Sequence, residues 1–432
     1  MRWREALSPV RMHRVALVVP ETRSRQMLVE LARSGTVELD LPYPPGADAA
    51  ELDRASDAAV RSGPLAGWVG WMPARDLAGL QEDLAPIGAA AVPIAHPRGL
   101  QPPTLLTDAG ADGSRPRASR TLVDTYGTVP YADVDPSRLA GLAYVLMFGM
   151  MFGDAGHGAI LLLMGLALRG RRTGRLAALS QAWAFVAGAG LMSVLFGVLY
   201  GEAFGPTGLL PVLWLDPLAS PLPLLGAAIG LGAVLLAAAY AIGTVNRVRE
   251  GGWGYALYAR SGVAGSALFA AAALLTWGLA GGIDPIVAVA VGLAAVALVL
   301  LFVGLLLEAG GGGSGVVQAV VELVDTVVRL GSNIVSFARL AAFGLTHAAL
   351  LMIVWDGTTG LWGPGWRAVA AVLVFVVGNV VTFALEALVA GVQALRLEYY
   401  ELFARIFTSE GRPFRPWAPL LPAGGTDRGE NP

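Results

Sequence analysis

From residue 136 to residue 408 the chain is a succession of apolar stretches, each close to the length that crosses a bilayer, divided by short polar or glycine-rich breaks. The hydrocarbon layer is about 30 Å thick, and a helix rising 1.5 Å per residue needs about 20 apolar residues to cross it. That pattern defines an α-helical polytopic membrane protein. Of the 432 residues, 55% are hydrophobic and 14% charged, where a soluble protein carries about 25% charged residues. The stretch 136–169 is too long for one upright span and is broken by GDAGHG at 153–158, so it reads as two short segments joined by a tight turn. Further spans are expected near 178–201, 221–244, 257–281, 283–307, 316–355 and 366–408, about eight transmembrane helices in all. The last two are long. Each would reach roughly 60 Å as a helix, about twice the hydrocarbon thickness, so both must tilt strongly or project from the membrane.

Charge placement orients the spans. With the N-terminal region cytoplasmic and eight crossings, the basic clusters RGRRTGR (169–175), NRVRE (246–250) and GRPFRP (411–416) all fall on the cytoplasmic side. A single span at 136–169 would place RGRRTGR outside. GGGGSG at 310–315 reads as a flexible loop, because no strand precedes it and it lacks the lysine of a phosphate loop.

Residues 1–98 have a different character. MHRVALVVP (12–20), ETRSRQMLVELARSG (21–35) and TVELDLP (36–42) read as strand, helix and strand. The order repeats in AGWVGWMP (66–73), ARDLAGLQEDLAPIG (74–88) and AAAVPIA (89–95), with a polar connection between. Two βαβ-like halves suggest one small α/β cytoplasmic domain. A Pro- and Gly-rich linker at 99–135 leads into the membrane domain at 136–408, and 409–432 is a cytoplasmic tail. The N-terminal apolar stretch is too short for a signal peptide, and Met12 is an alternative start. The absence of cysteine excludes a disulfide framework and a thiolate metal site. A net charge of −2 offers no basis for nucleic-acid binding. No nucleotide-binding signature and no cofactor motif is recognisable.

Two arginines lie inside the last two apolar stretches, Arg339 in SNIVSFARLAAFGLTHAAL and Arg396 in LEALVAGVQALRLEYYELF. An arginine at mid-bilayer costs roughly 2.5–3.5 kcal/mol on insertion scales, and it cannot shed its charge. On a helical wheel Asp325, Ser332 and Ser336 fall within about 60° of Arg339, and His347 at about 80°. Asn379, Thr382, Glu386, Gln393 and Tyr400 fall within about 100° of Arg396. Titratable groups thus occur above and below a fixed positive layer. A permanent cation blocks direct leakage, and a carboxylate brought beside it would have its pKa lowered by about 1–3 units. No mobile carrier is evident in this chain, so a partner should supply one. Blander readings compete. Arg396, followed by Glu398, Glu401 and Arg405, also fits a snorkelling interfacial residue, and His347 alone fits a packed hydrogen-bond partner. Asp154 and His157 in GDAGHG fit a cap that locks the membrane turn as well as they fit ion contact, and Glu202 reads as structural at a span end.

Four segments carry a family resemblance: YGTVPYADVDPSRLAGLAYVLMFGMMFGDAGHG, LFGVLYGEAFG, SNIVSFARLAAFGLTHAAL and LEALVAGVQALRLEYYELFARIFTSEGRPFRPW. Over about 120–417 the chain resembles the membrane stator subunit of vacuolar and archaeal-type rotary ATPases, called a or I. The opening SPVRMHRVALVVPETRSRQMLVELARSGTVEL resembles that family's start. The resemblance implies a non-catalytic, multi-pass subunit of a prokaryotic plasma membrane, with half-channels for H⁺ or Na⁺ set against a ring of c subunits, and with peripheral and central stalk subunits as further partners. It implies that Arg339 faces the ring carboxylate as the barrier and that Arg396 assists. Asp325 would belong to the cytoplasmic half-channel, and His347 and Glu386 to the exterior one. Gln393 stands where the family often has a histidine. Family members also carry a long coiled-coil arm between two α/β lobes, whereas only 43–65 separates the two halves here. An independent ion transporter or channel built on the same scaffold is the alternative function.

Overall fold

The computed structural model describes residues 9–46, 48, 50–95, 100–105, 122–123, 125, 127–169, 179–407 and 411–420. Most of the linker at 99–135, the basic cluster beyond Arg169 and the tail beyond residue 420 lie outside the described residues. Two compact units emerge, one within Met1–Ala111, Thr128–Tyr131 and Ser409–Pro432, the other within Asp112–Gly127 and Ala132–Thr408.

In the first unit the alternating residues Val15, Leu17 and Val19 put one face of strand β1 (Met12–Pro20) into the core. Helix α1 (Ser24–Ser34) covers them with Met27, Leu28, Leu31 and Ala32 and ends at Gly35 in the left-handed region, φ 57°. Then come β2 (Glu38–Leu39), α2 (Glu51–Asp57), β3 (Val60–Ser62), β4 (Leu65–Pro73), α3 (Leu77–Leu84) and β5 (Ala90–Ile94). The sheet order is β2-β4-β1-β5, with β3 also on β4, and every pairing is antiparallel. The two expected βαβ halves are therefore interleaved: each keeps its helix, but a strand of the other half lies between its own two. Within the polar connection at 43–65 the chain forms α2 and β3, which the sequence reading did not anticipate. Trp68 ties α2 down by donating to the carbonyl of Ala55 at 2.8 Å.

Residues 411–420 belong to this same unit. Trp417 is buried in the core, accepts no exposure beyond 3%, and donates from its backbone to Val37 O at 2.8 Å and from Nε1 to Glu51 Oε1 at 3.2 Å. Glu38 takes Arg412 Nη1 at 2.9 Å and the Arg415 backbone N–H at 2.8 Å. Burial raises the Glu38 carboxyl above its ordinary value, against the lowering effect of those two donors.

The second unit is helical. The segments α4 (Ser137–Met151) and α5 (Ala155–Arg169) are separated at GDAGHG as the sequence suggests. They are followed by α6 (Trp183–Tyr200), α7 (Pro221–Tyr258), α8 (Val263–Gly281), α9 (Asp284–Glu308), α10 (Gly312–Ser336), α11 (Ala338–Leu361) and α12 (Trp366–Leu397). A π-helical turn (Glu398–Phe403) and α13 (Ala404–Ile406) complete it. Among the described residues six helical stretches are long and apolar enough to cross a membrane, with α10 and α11 counted as one and α12 through α13 as another. With 15 residues each, α4 and α5 are shorter. The glycine-rich stretch at 310–315 differs from the expected loop. Gly310 and Gly311 turn in the left-handed region, at φ 77° and 74°, and α10 already begins at Gly312.

Close backbone approach joins α5 to α6. A Cβ on Gly158 would lie 2.5 Å from Val194 N, and one on Gly190 or Gly197 would strike the backbone of Leu162 or Ala155. Each helix presents a pair of glycines seven residues apart, Gly158 with Gly165 and Gly190 with Gly197. Such pairs let helices pack tightly where lipid offers no hydrophobic drive.

Candidate functional site

Arg339 lies in the first turn of α11, beside an interruption. At Phe337, which is fully buried against Gly232 of α7, the helical bonds tighten to Phe337 N→Ile334 O at 3.2 Å and Leu340 N→Phe337 O at 2.9 Å. These are 3₁₀-type bonds inside an otherwise continuous 50-residue stretch. Arg396 sits one residue before the end of α12, and the π-helical turn starts two residues later. Arg339 is half-buried and Arg396 exposed. The two guanidiniums lie within electrostatic reach of each other and of Glu401. Among the described residues neither arginine has an ion-pair partner. Around them α10 and α12 expose a valine-rich surface, including Val324, Val328 and Val335 on one and Val381, Leu385 and Val392 on the other.

The wheel places Glu386 and Arg396 on one side of a helix, and the structure divides that side. Asn379, Thr382 and Glu386 face inward with Ala390 and Ala394, while Gln393 is half-buried and Tyr400 is exposed beyond the π-helical turn. Glu386 Oε2 binds Nδ1 of His347, and both side chains are buried. Asp325 is not part of this group. It is exposed on α10 and pairs with Arg329 at 2.6 Å.

Asp154 and His157 join His347. The Asp154 carboxylate is fully buried and accepts three backbone N–H groups: His157 at 2.8 Å, Phe204 at 3.0 Å and Gly205 at 2.9 Å. The first is a helix cap on α5; the others fasten the loop after α6, where Ala155 N also donates to Glu202 O at 2.9 Å. Phe204 holds a left-handed backbone, φ 54°, and sets its ring edge-on to His157 at 5.5 Å. The His157 ring lies 5.8 Å from that of His347; Phe152 packs against both rings and Phe383 against that of His157. Sequence distance hides this meeting. His157 and His347 come from helices 190 positions apart, and only their shared setting in small, apolar segments hinted at burial.

A second polar cluster escaped the sequence reading altogether. In NRVRE, Asn246 accepts from Val134 N at 2.9 Å and donates to Ile406 O at 3.2 Å, and Arg247, 1% exposed, pairs with Glu250 at 2.6 Å. Fully buried Asp133 joins them; its desolvation, then nearby Glu250, push its carboxyl up to about 7. Part of this basic run is therefore a buried ion cluster and not a free surface patch.

A small antiparallel α/β unit, and six helical stretches long and apolar enough to cross a membrane among the described residues, define a multipass membrane protein. Residues 65–208 match the model of the V-type ATPase 116kDa subunit family. The chain is 29% identical to the A-type ATP synthase subunit I of Aeropyrum pernix across 68% of this chain and 49% of that one. It is 27% identical to the same subunit of Pyrococcus horikoshii across 69% and 45%, and 34% identical to V-type ATP synthase subunit I 2 of Treponema pallidum across 32% of each. The chain is thus similar to the V-type ATPase 116kDa subunit family and to A-type ATP synthase subunits I. It spans about half the length of the curated relatives it matches.

Proposed function

We propose that this chain is the stationary ion-translocating subunit of a V/A-type rotary ATPase, coupling the passage of H⁺ or Na⁺ to rotation of a c-subunit ring. The observation that carries the reading is the pair Arg339 and Arg396. Two permanent cations without ion-pair partners among the described residues stand beside an exposed, valine-rich surface of α10 and α12. A charge left so in an apolar setting is costly, and a ring carboxylate passing that surface would offset the cost. Ions would reach the ring carboxylate from one side past His347, Glu386 and Gln393, and leave past Ser336 and Asp325 on the other. The arginines between the two paths bar direct leakage.

Eight crossings fit this role. Residues on both sides of the membrane portion, up to 105 and from 411, share one compact unit, which supports an even number of crossings. Six long stretches plus the α4–α5 pair make eight. The unit they share is then cytoplasmic, in a prokaryotic cell membrane. The compact α2–β3 connection leaves no room for a coiled-coil arm, so the link to peripheral stalks would run through a shorter contact or through another chain.

ATP-driven acidification of vesicles holding the native complex tests the reading, with Arg339→Ala set against wild type. The expected outcome is normal assembly with pumping abolished. Undiminished pumping in the assembled variant removes the mechanism.

A further inference from the structure

The Asp154 carboxylate and the ring nitrogens of His157 and His347 offer ligand atoms within 4.8 Å of one another, and all three residues are buried. We propose that this cluster binds a transition-metal dication of the Zn²⁺ type and that its occupancy closes the exterior-side ion path; the second half of the proposal rests on the function argued above.

The state of each donor carries the argument. His347 gives Nδ1 to Glu386, while its Nε2 is buried without a hydrogen-bond partner. A carboxylate on one imidazole nitrogen with the other left to a metal is the usual arrangement of zinc-binding histidines. Both nitrogens of His157 are buried and likewise lack a hydrogen-bond partner. Buried polar atoms are seldom left so, and each case asks for an explanation. Asp154 is held by three backbone donors, and a carboxylate has about four acceptor positions, so one is left for an ion. Two imidazoles and a carboxylate suit Zn²⁺ and similar borderline metals, whereas Ca²⁺ and Mg²⁺ take oxygen ligands. Asp154 and Glu386 together balance a dication in this apolar surrounding. Tetrahedral bonds of about 2.0–2.1 Å place ligand atoms about 3.4 Å apart, so small side-chain rotations bring the three donors to bonding distance. A metal on His347 Nε2 would occupy the position that a proton relay through His347 and Glu386 needs free.

Binding is measured first, without reference to activity, on the purified full-length chain dialysed against buffered Zn²⁺. One Zn²⁺ per chain is expected, with X-ray absorption showing two imidazole ligands. Affinity should fall at least about tenfold in His157→Asn and about 10–100-fold in Glu386→Gln, a loss typical of outer-shell partners. No stoichiometric binding to wild type, or bound metal without imidazole ligation, overturns the site whatever the variants do. Acidification by the intact complex follows, each form normalised to its own metal-free rate. Zn²⁺ should stop pumping at the concentration that fills the site, and His157→Asn should move that midpoint at least about tenfold. Filled sites with unaltered pumping overturn the closure. If Arg339→Ala vesicles pump normally while Zn²⁺ still binds, the rotary reading fails and the metal site stands.

Discussion

Asp133 and Asp154 are both fully buried carboxyls, yet they behave oppositely because their donors differ. Asp154 has three backbone N–H groups and works as a cap and a clamp. Removing it in Asp154→Ala forfeits the cap and orphans two buried donors, a loss of about 2–4 kcal/mol, which thermal unfolding in detergent would register; an unchanged midpoint would show the clamp to be dispensable. Asp133 instead faces another acid, Glu250, and holds its proton up to about 7 against an ordinary 3.8. Between those values the folded chain keeps a proton that the unfolded chain releases. This contribution is therefore fully present below about pH 4 and is lost as pH rises toward 7. Asp133→Asn cannot titrate, so its stability relative to wild type should improve from pH 5 to pH 8, by at most about 1.4 kcal/mol per pH unit. A difference that stays constant over that range would rule out Asp133 as the titrating group. At this scale the sequence announced Arg339, Arg396 and Glu386 because charges stand out in apolar runs. Asp133 lay beyond its reach, since burial of a pre-helical aspartate depends on a partner more than a hundred residues away.

Elements were more legible than their irregularities. The apolar runs set α6 through α12, and GDAGHG separated α4 from α5. The 3₁₀-type tightening at Phe337 and the π-helical turn at Glu398–Phe403 left no trace in periodicity. Phe337 reads as one more apolar residue, and its ring breaks the regular ladder only because Gly232 of another helix receives it. Glycine told more than it first showed. Gly190 abuts the backbone of Leu162, whereas Gly226 on α7 has open space around it. Gly190→Leu should disrupt the α5–α6 pair, with an overpacking loss of about 1–3 kcal/mol or more, and Gly226→Leu should be tolerated. Equal melting temperatures for the two variants in detergent would contradict that packing.

For the whole molecule the sequence separated an α/β unit from a membrane unit, but it read residues after 408 as a tail. Trp417 instead completes the α/β core, beside Val37 and Glu51. Pattern reading misses this because a single tryptophan among prolines has no period. Trp417→Ala should weaken that unit by about 3–5 kcal/mol. Hydrogen exchange should quicken in β1 and α1 while α4 through α12 keep their protection; uniform quickening would mean that the two units unfold together. The shared core also sets a timetable for biosynthesis. Some 320 residues separate Ile94 from Trp417, and at about 5–20 residues per second the ribosome needs roughly 15–65 s to make them. During that interval the newborn domain waits with a gap in its core, which closes only when the stretch around Trp417 has been made.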